Sequence, residues 1–429
     1  MYKFHFRVFF ISYLCISYCL SAFASGELDV YKNEIKKVSI HTVQCFPLGW
    51  ELTPPIIELN SQNQLQFSFD ELGKEIQDYS YRIIHCDSDW KSSELSEFDF
   101  LNGFSENQIQ DYEFSFNTNV DYVHYSLLLP NEDVKLKLSG NYILEVYQDF
   151  DTENVVFRQR FMILDSKVQF KGKVKHPIDM ERRKTHQEVM FSILHPGFLI
   201  DNPHSDLTVI LRQNDRSDGS EMKVKPVFIR KDELVFDNNM EYVFPGNNEF
   251  HYFDLKNFRY QSIYIQSIEN IDDETIVNLS PGKNRHFSPY IFRRDNNGIS
   301  VVSVDERKEP TTEADYAHVV FTLPSDNELK HGDMYVYGGF NNWECNDKNK
   351  MIYNYELGAY QKSIYLKQGY YNYVYALKEN GEDDPNINYI EGSHWQTENN
   401  YMIYVYYHDI EKNYDRLIGF KTLNSTKNF

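Results

Sequence analysis

Leu65-Gln66-Phe67-Ser68-Phe69 is the stretch that decides the fold. Leu65, Phe67 and Phe69 alternate with Gln64, Gln66 and Ser68. A period of two places one set on a core face and the other outward, which is the signature of a β-strand. The same period returns at Tyr142, Leu144 and Val146, at Tyr371, Tyr373 and Tyr375, and at Ile403, Val405 and Tyr407. Between these runs stand turn formers: Ser139-Gly140, Asn102-Gly103, Gly246-Asn247-Asn248, Asp295-Asn296-Asn297-Gly298 and Asn380-Gly381. Met180 to Leu194 has helix-like charges, but Val189, Phe191 and Ile193 alternate, so it reads as strand. Short strands broken by such turns predict an all-β chain of tandem Ig-like sandwiches.

Composition agrees. Tyr (33) and Phe (31) far outnumber Trp (4), and both suit half-buried pleated surfaces. The length, 429 residues, fits about three domains. The expected division is 1–24 as a signal peptide, 25–164 and 165–305 as two sandwiches, and 306–429 as a third. The charged, Pro-containing stretch Asp305 to Glu313 reads as a linker. A formal charge of −21 argues against a nucleic-acid backbone as partner, because like charges repel. Low mean hydropathy excludes a multi-span helical membrane protein. An outer-membrane barrel is also rejected. Its strands need about 9–11 residues with a lipid-facing apolar row, whereas these are shorter and interrupted by charges.

Lys3 and Arg7, the apolar run Val8 to Leu20 and the small-x-small triplet Ala22-Phe23-Ala24 form a secretory signal pattern. Cleavage after Ala24 would take the charge from −21 to −23. It would remove Cys15 and Cys19 and leave Cys45, Cys86 and Cys345. An odd count is no closed disulfide framework. Cys45 and Cys86 share a domain and could pair, but buried thiols are the expectation.

Catalytic patterns are missing. There is no G-x-S-x-G, H-E-x-x-H, C-x-x-C or phosphate-cradling Gly loop, and the 14 His are scattered. No enzyme activity, metal or cofactor is expected. Asp87 and Asp89 before Trp90 fail the EF-hand series, since Lys91 occupies a ligand position and no Gly follows, so turn chemistry is expected. Asp272-Asp273 and Asp383-Asp384 suit solvated loops better than a glycosidase pair. The basic cluster Lys171 to Lys184 could contact an acidic partner, but Asp179 and Glu181 dilute it and a solvated face is expected.

In the third unit, Gly338-Gly339-Phe340-Asn341-Asn342-Trp343 ends a strand, and Leu366-Lys367-Gln368-Gly369-Tyr370-Tyr371-Asn372-Tyr373 follows. This resembles the early-set sandwich modules of glycogen- and starch-binding proteins. The resemblance implies Trp343 and Trp395 as candidates for stacking on sugar rings, against the reading that Trp343 simply packs at a strand end.

A longer series of strings runs in order through the chain: His85-Cys86-Asp87-Ser88-Asp89-Trp90, His124-Tyr125, Ser139-Gly140-Asn141-Tyr142 and Gln213-Asn214-Asp215-Arg216. It continues with Gly246-Asn247-Asn248-Glu249-Phe250, Glu313-Ala314-Asp315-Tyr316 and Ile390-Glu391-Gly392, then Thr397-Glu398-Asn399 and Tyr414-Asp415-Arg416-Leu417. Together they resemble the type IX secretion system plug family, with His85, Cys86, Asp87, Asp89 and Trp90 as signature residues. His251 departs from the pattern, where the family more usually has Arg. The resemblance implies a non-catalytic periplasmic protein. It would dock on a giant outer-membrane translocon β-barrel and close its periplasmic mouth while idle. The competing expectations are an envelope glycan- or starch-binding protein and an unrecognised hydrolase.

Overall fold

The computed structural model describes residues 30–218, 220–237, 241–305 and 308–427. The expected signal segment, with Cys15 and Cys19, lies outside the described residues. The chain is all-β, with 48% strand and 5% helix, arranged as sandwiches and not as a barrel.

The first sandwich faces a six-stranded sheet against a four-stranded one. The larger sheet runs Glu34–Ile35, Val155–Leu164, Gly140–Gln148, Tyr79–Cys86 and Glu106–Gln108, with Ile56–Glu58 parallel to Val155–Leu164. The smaller runs Ile40–Pro47, Leu65–Leu72, Tyr122–Leu129 and Asp111–Phe114. Leu65, Phe67 and Phe69 point inward as their spacing requires, and all three are buried. Phe67 meets Phe161 of the opposite sheet edge-on, with centroids 5.3 Å apart.

Sandwich membership and chain order part company after Pro245. Strand Leu207–Gln213 pairs with Asn400–Asp409, which pairs with Tyr414–Asn424. With Met222–Val224 these form one sheet of the second sandwich. Its other sheet is built on Gln169–Lys175, His186–Leu194, Glu233–Phe236 and Phe228–Arg230, with Val243–Pro245 alongside. Val209, Leu211, Ile403 and Val405 fill a single core with Phe191 and Ile193. The third sandwich begins at His251–Asp254 and is closed by Gly369–Glu379. Its second sheet runs Ile265–Ile271, Glu274–Leu279, Tyr316–Pro324, Ala359–Lys367 and Ile352–Asn354.

The third sandwich is therefore inserted between two strands of the second, and the expected boundary at 305 falls inside it. The physical reason is long-range pairing: Val209 opposite Val405 is a contact that no local pattern announces. The 305–313 stretch is likewise not a link between the second and third units. Its short helix Pro310–Glu313 lies against the first sandwich, where Phe116 N donates to Thr312 O at 2.8 Å.

A second departure concerns the outward faces. Ser68, Asp70, Asn141, Ile143 and Glu145 stand on the polar or alternate positions of their strands, yet all are buried. Other sandwiches cover Asp70, Asn141 and Ile143, while Arg82 and Arg158 of the same sheet close over Glu145. The three units thus meet through three joints.

Candidate docking surface and the joints behind it

The first joint, between the first and second sandwiches, is built on His85 to Trp90. Cys86 and Trp90 pack with Ile143 and Met162 against Ile210, Met402, Tyr404, Tyr406 and Leu417. The Arg160 guanidinium sits 4.3 Å from the Trp90 ring centroid, and burial lowers its pKa to about 10. Asp87 forms an Asx turn: its Oδ1 accepts from Asp89 N at 2.9 Å and Lys91 N at 2.8 Å. Ser88 N donates to Asp415 Oδ2 at 2.9 Å, Tyr406 OH to Asn141 Oδ1 at 2.9 Å, and Asp89 pairs with Lys223. His85 is buried with Nδ1 2.9 Å from Ser93 Oγ, and burial lowers its pKa to about 4. Burial pushes the Cys86 thiol up to about 12. Cys45 lies in the opposite sheet, and both are free thiols.

The second joint, between the first and third sandwiches, converges on Asp70. Its Oδ2 accepts from Lys367 Nζ at 2.6 Å and Tyr316 OH at 2.6 Å, and its Oδ1 lies 2.6 Å from His124 Nδ1. Burial alone would raise the Asp70 pKa. The Lys367 ammonium and the His124 bond outweigh it and hold the carboxyl below its ordinary value. Lys367 also donates to Thr311 O at 3.0 Å and lies 4.1 Å from the Tyr122 ring centroid. Asp315 accepts from Asn119 N at 2.7 Å and Val120 N at 3.1 Å.

The third joint, between the second and third sandwiches, is made where Tyr337 OH donates to Asp218 Oδ2 at 2.7 Å and Asn247 Nδ2 to Gln213 Oε1 at 2.9 Å, and behind it, inside the third sandwich, lies the buried Glu391. Arg285 Nε donates to its Oε2 at 2.6 Å, His251 Nε2 lies 3.1 Å from the same oxygen, and Tyr375 N donates to Oε1 at 2.9 Å. Burial raises the Glu391 pKa, but His251 and Arg285 outweigh it and bring it to about 2. Arg285 therefore supplies a fixed positive charge beside the position where His251 departs from the family pattern. Glu249 behaves oppositely: burial, together with Asp295 and Glu398, raises it to about 7, while the Tyr290 hydroxyl donates to it. Asn247 and Asn399 bond to Gln213 and Gln187 in the same buried network.

The tryptophans do not form a sugar platform together. Trp343 is buried between Phe250 and Tyr337, with centroids at 5.9 and 5.3 Å. Gly298, at φ 88°, leaves room for it: a Cβ there would stand 2.2 Å from the indole. The ring is a core residue and offers no free face for stacking. Trp395 is 37% exposed, but the His176 ring lies over it at 3.7 Å. Asp272 and Asp273 both take positive φ in the turn between Ile265–Ile271 and Glu274–Leu279. Among the described residues, no group of three or more His, Cys, Asp or Glu is placed to hold a metal ion, and no helix is long and apolar enough to cross a membrane.

Several sets of exposed apolar side chains remain, including Tyr112, Phe114 and Phe116, and Val227, Phe228 and Ile229, and two more stand out. Leu48, Trp50 and Leu52 crown the turn after Ile40–Pro47 in the first sandwich. Phe287, Ile291 and Phe292 stand on the irregular segment that crosses the third joint, which also carries Arg285 and Tyr290. Contiguous exposed apolar groups on an otherwise charged chain mark contact surfaces. Sequence reasoning missed both patches, because exposure of one Phe among 31 is not written in its local pattern.

What the geometry defines is a protein of three all-β sandwiches, locked by buried polar and aromatic joints. A family model described as the type IX secretion system plug protein first domain matches residues 40–165, which is the first sandwich. A hypothetical protein from Parabacteroides merdae is similar in its solved structure: 33% identical, over 91% of this chain and 98% of that chain, with a TM-score of 0.88. No curated protein matches. The chain belongs to the type IX secretion system plug family.

Proposed function

We propose that the protein is a non-catalytic periplasmic plug that docks on an outer-membrane translocon β-barrel and closes its periplasmic mouth while the channel is idle. Family membership carries this reading. The joints support it. A stopper must resist deformation, and here every pair of sandwiches shares a side-chain contact or core. A chain of beads on linkers would bend away from an opening. Exposed apolar patches give such a body somewhere to hold its partner.

The test is twofold. A tagged chain expressed in a type IX-competent cell is expected to recover the translocon barrel from solubilised outer membrane. Deletion of the gene is expected to make that membrane leak small polar solutes. Barrel-free recovery together with an equally tight membrane in the deletion strain sinks the reading.

A further inference from the structure

The segment between strands Glu274–Leu279 and Val301–Val302 has no regular structure. A loop of that length is ordinarily functional or disordered. This one is pinned. Gly282 N donates to Thr322 O at 2.8 Å and Arg285 N to Ile390 O at 2.7 Å. Arg285 also bonds to Glu391, Tyr290 to Glu249, and Asn296 N donates to Asn372 Oδ1 at 2.5 Å. Between the pins the loop turns its largest apolar groups to solvent: Phe287 is 95% exposed, Ile291 61% and Phe292 59%. Buried charge is thus used to hold apolar side chains out in water.

The neighbouring surface continues the pattern. The Tyr290 ring lies 5.7 Å from His394, Trp395 N donates to Lys184 O at 3.0 Å, and His176 covers Trp395. The segment 176–184 therefore adjoins the loop and adds exposed Ile178 and Met180. The charge of this face is opposite to that of the molecule. Residues 281–294 contain four basic residues and no acid, and 171–184 contain six basic residues and two acids; with Arg285 neutralised by Glu391 and Lys175 by Glu188, a net excess of six positive charges is left on a chain of net charge −21.

We propose that this face is the docking surface, and that its occupant is a protein rim carrying carboxylates around apolar slots. The identity of that protein as the translocon barrel rests on the plug reading above. Arg182, Arg183, Arg293 and Arg294 outnumber Lys184 and Lys283 among the basic residues nearest the apolar groups. Arg, Met and aromatics are what protein interfaces enrich, while Lys is depleted there. The planar guanidinium pairs with carboxylates through two parallel hydrogen bonds. A lipid surface fits less well: Asp179 and Glu181 lie among the arginines, and the apolar groups are spread over separate segments instead of one insertable tip. The basic cluster, expected from sequence to be merely solvated, becomes half of a built surface. The patch at Leu48, Trp50 and Leu52 has Glu51 as its only charge between Pro47 and Pro55, and it serves as the control.

The experiment compares tagged full-length chain with Phe287→Ser/Phe292→Ser, Arg293→Glu/Arg294→Glu and Trp50→Ser, each checked for an unchanged melting transition. Barrel recovery from solubilised outer membrane is expected to fall at least tenfold for each double variant and to hold for Trp50→Ser. Flotation with vesicles of phosphatidylcholine and phosphatidylglycerol is expected to recover none of the chains. Equal barrel recovery by the double variants overturns the surface and leaves the plug reading standing. Flotation of the wild type that the double variants lose overturns the protein occupant in favour of lipid. Failure of the wild type to recover any barrel removes this proposal, and together with an equally tight membrane in the deletion strain it removes the plug reading as well.

Discussion

On one side the first sandwich meets the second through Cys86, Trp90, Ile143 and Met162 against Met402, Tyr404 and Tyr406. On its other side it meets the third through Asp70, Lys367, His124 and Tyr316. One joint is a small apolar core with a polar rim. The other turns on the buried Asp70 carboxylate, saturated with donors, with Asp315 accepting two backbone N–H groups beside it. The apolar joint gains from area removed from water and tolerates reshaping. The ionic joint gains little net free energy, because desolvation of both charges offsets their attraction. It does demand one geometry, since any slip strands a charge. The first joint therefore supplies adhesion and the second orientation.

The largest expected effect tests that division. Lys367→Met leaves Asp70 buried without its cation and is expected to cost about 3–5 kcal/mol in chemical denaturation. Adding Asp70→Asn is expected to recover most of it. A double variant as unstable as the single would show that the pair itself contributes adhesion. The pH sign follows from the depressed Asp70 pKa: its contribution is present above the ordinary Asp value of about 3.9 and is lost as pH falls through the folded value.

At the apolar joint, Met402→Ala removes a buried thioether and is expected to cost about 2–4 kcal/mol, independent of salt. A cost that changes strongly between low and high salt would blur the contrast.

The smallest effect falls at the third joint, where Glu249 is raised to about 7. A raised acid contributes stability that is full below its unfolded pKa, about 4.3, and is lost as pH rises through about 7. Glu249→Gln is expected to melt with the wild type at pH 4 and a few degrees above it at pH 8. Equal melting temperatures at pH 8 would refute the assignment.

Strand positions were legible because a period of two needs only neighbours. Leu65, Phe67 and Phe69 announce their strand without reference to anything distant. The reverse faces were not, because Asp70 reads as a solvent position until another sandwich covers it, and Glu145 until Arg82 and Arg158 close over it. The insertion was invisible for a related reason. The pairing of Leu207–Gln213 with Asn400–Asp409 is specified jointly by two segments, and neither carries a mark of the other. The resemblance strings did carry the joints, since His85 to Trp90, Gln213 to Arg216 and Asp315-Tyr316 all fall at contacts between sandwiches. Their spacing alone gave no hint of that role. Trp343 read more readily as core than as a platform, and its burial between Phe250 and Tyr337 close to Gly298 makes it core.

The inserted sandwich also sets an order of assembly. A chain delivered N-terminus first presents Leu207–Gln213 with one edge open until residues 251–391 and then the hairpin of Asn400–Asp409 and Tyr414–Asn424 have followed. The third unit can close as soon as Gly369–Glu379 arrives, but the second must wait for strands delivered after it. A stop before Asn400 would thus spare the later-made sandwich and abort the earlier one. The hairpin acts as a clasp, fastened last, and its closing covers the back of the first sandwich in the same step.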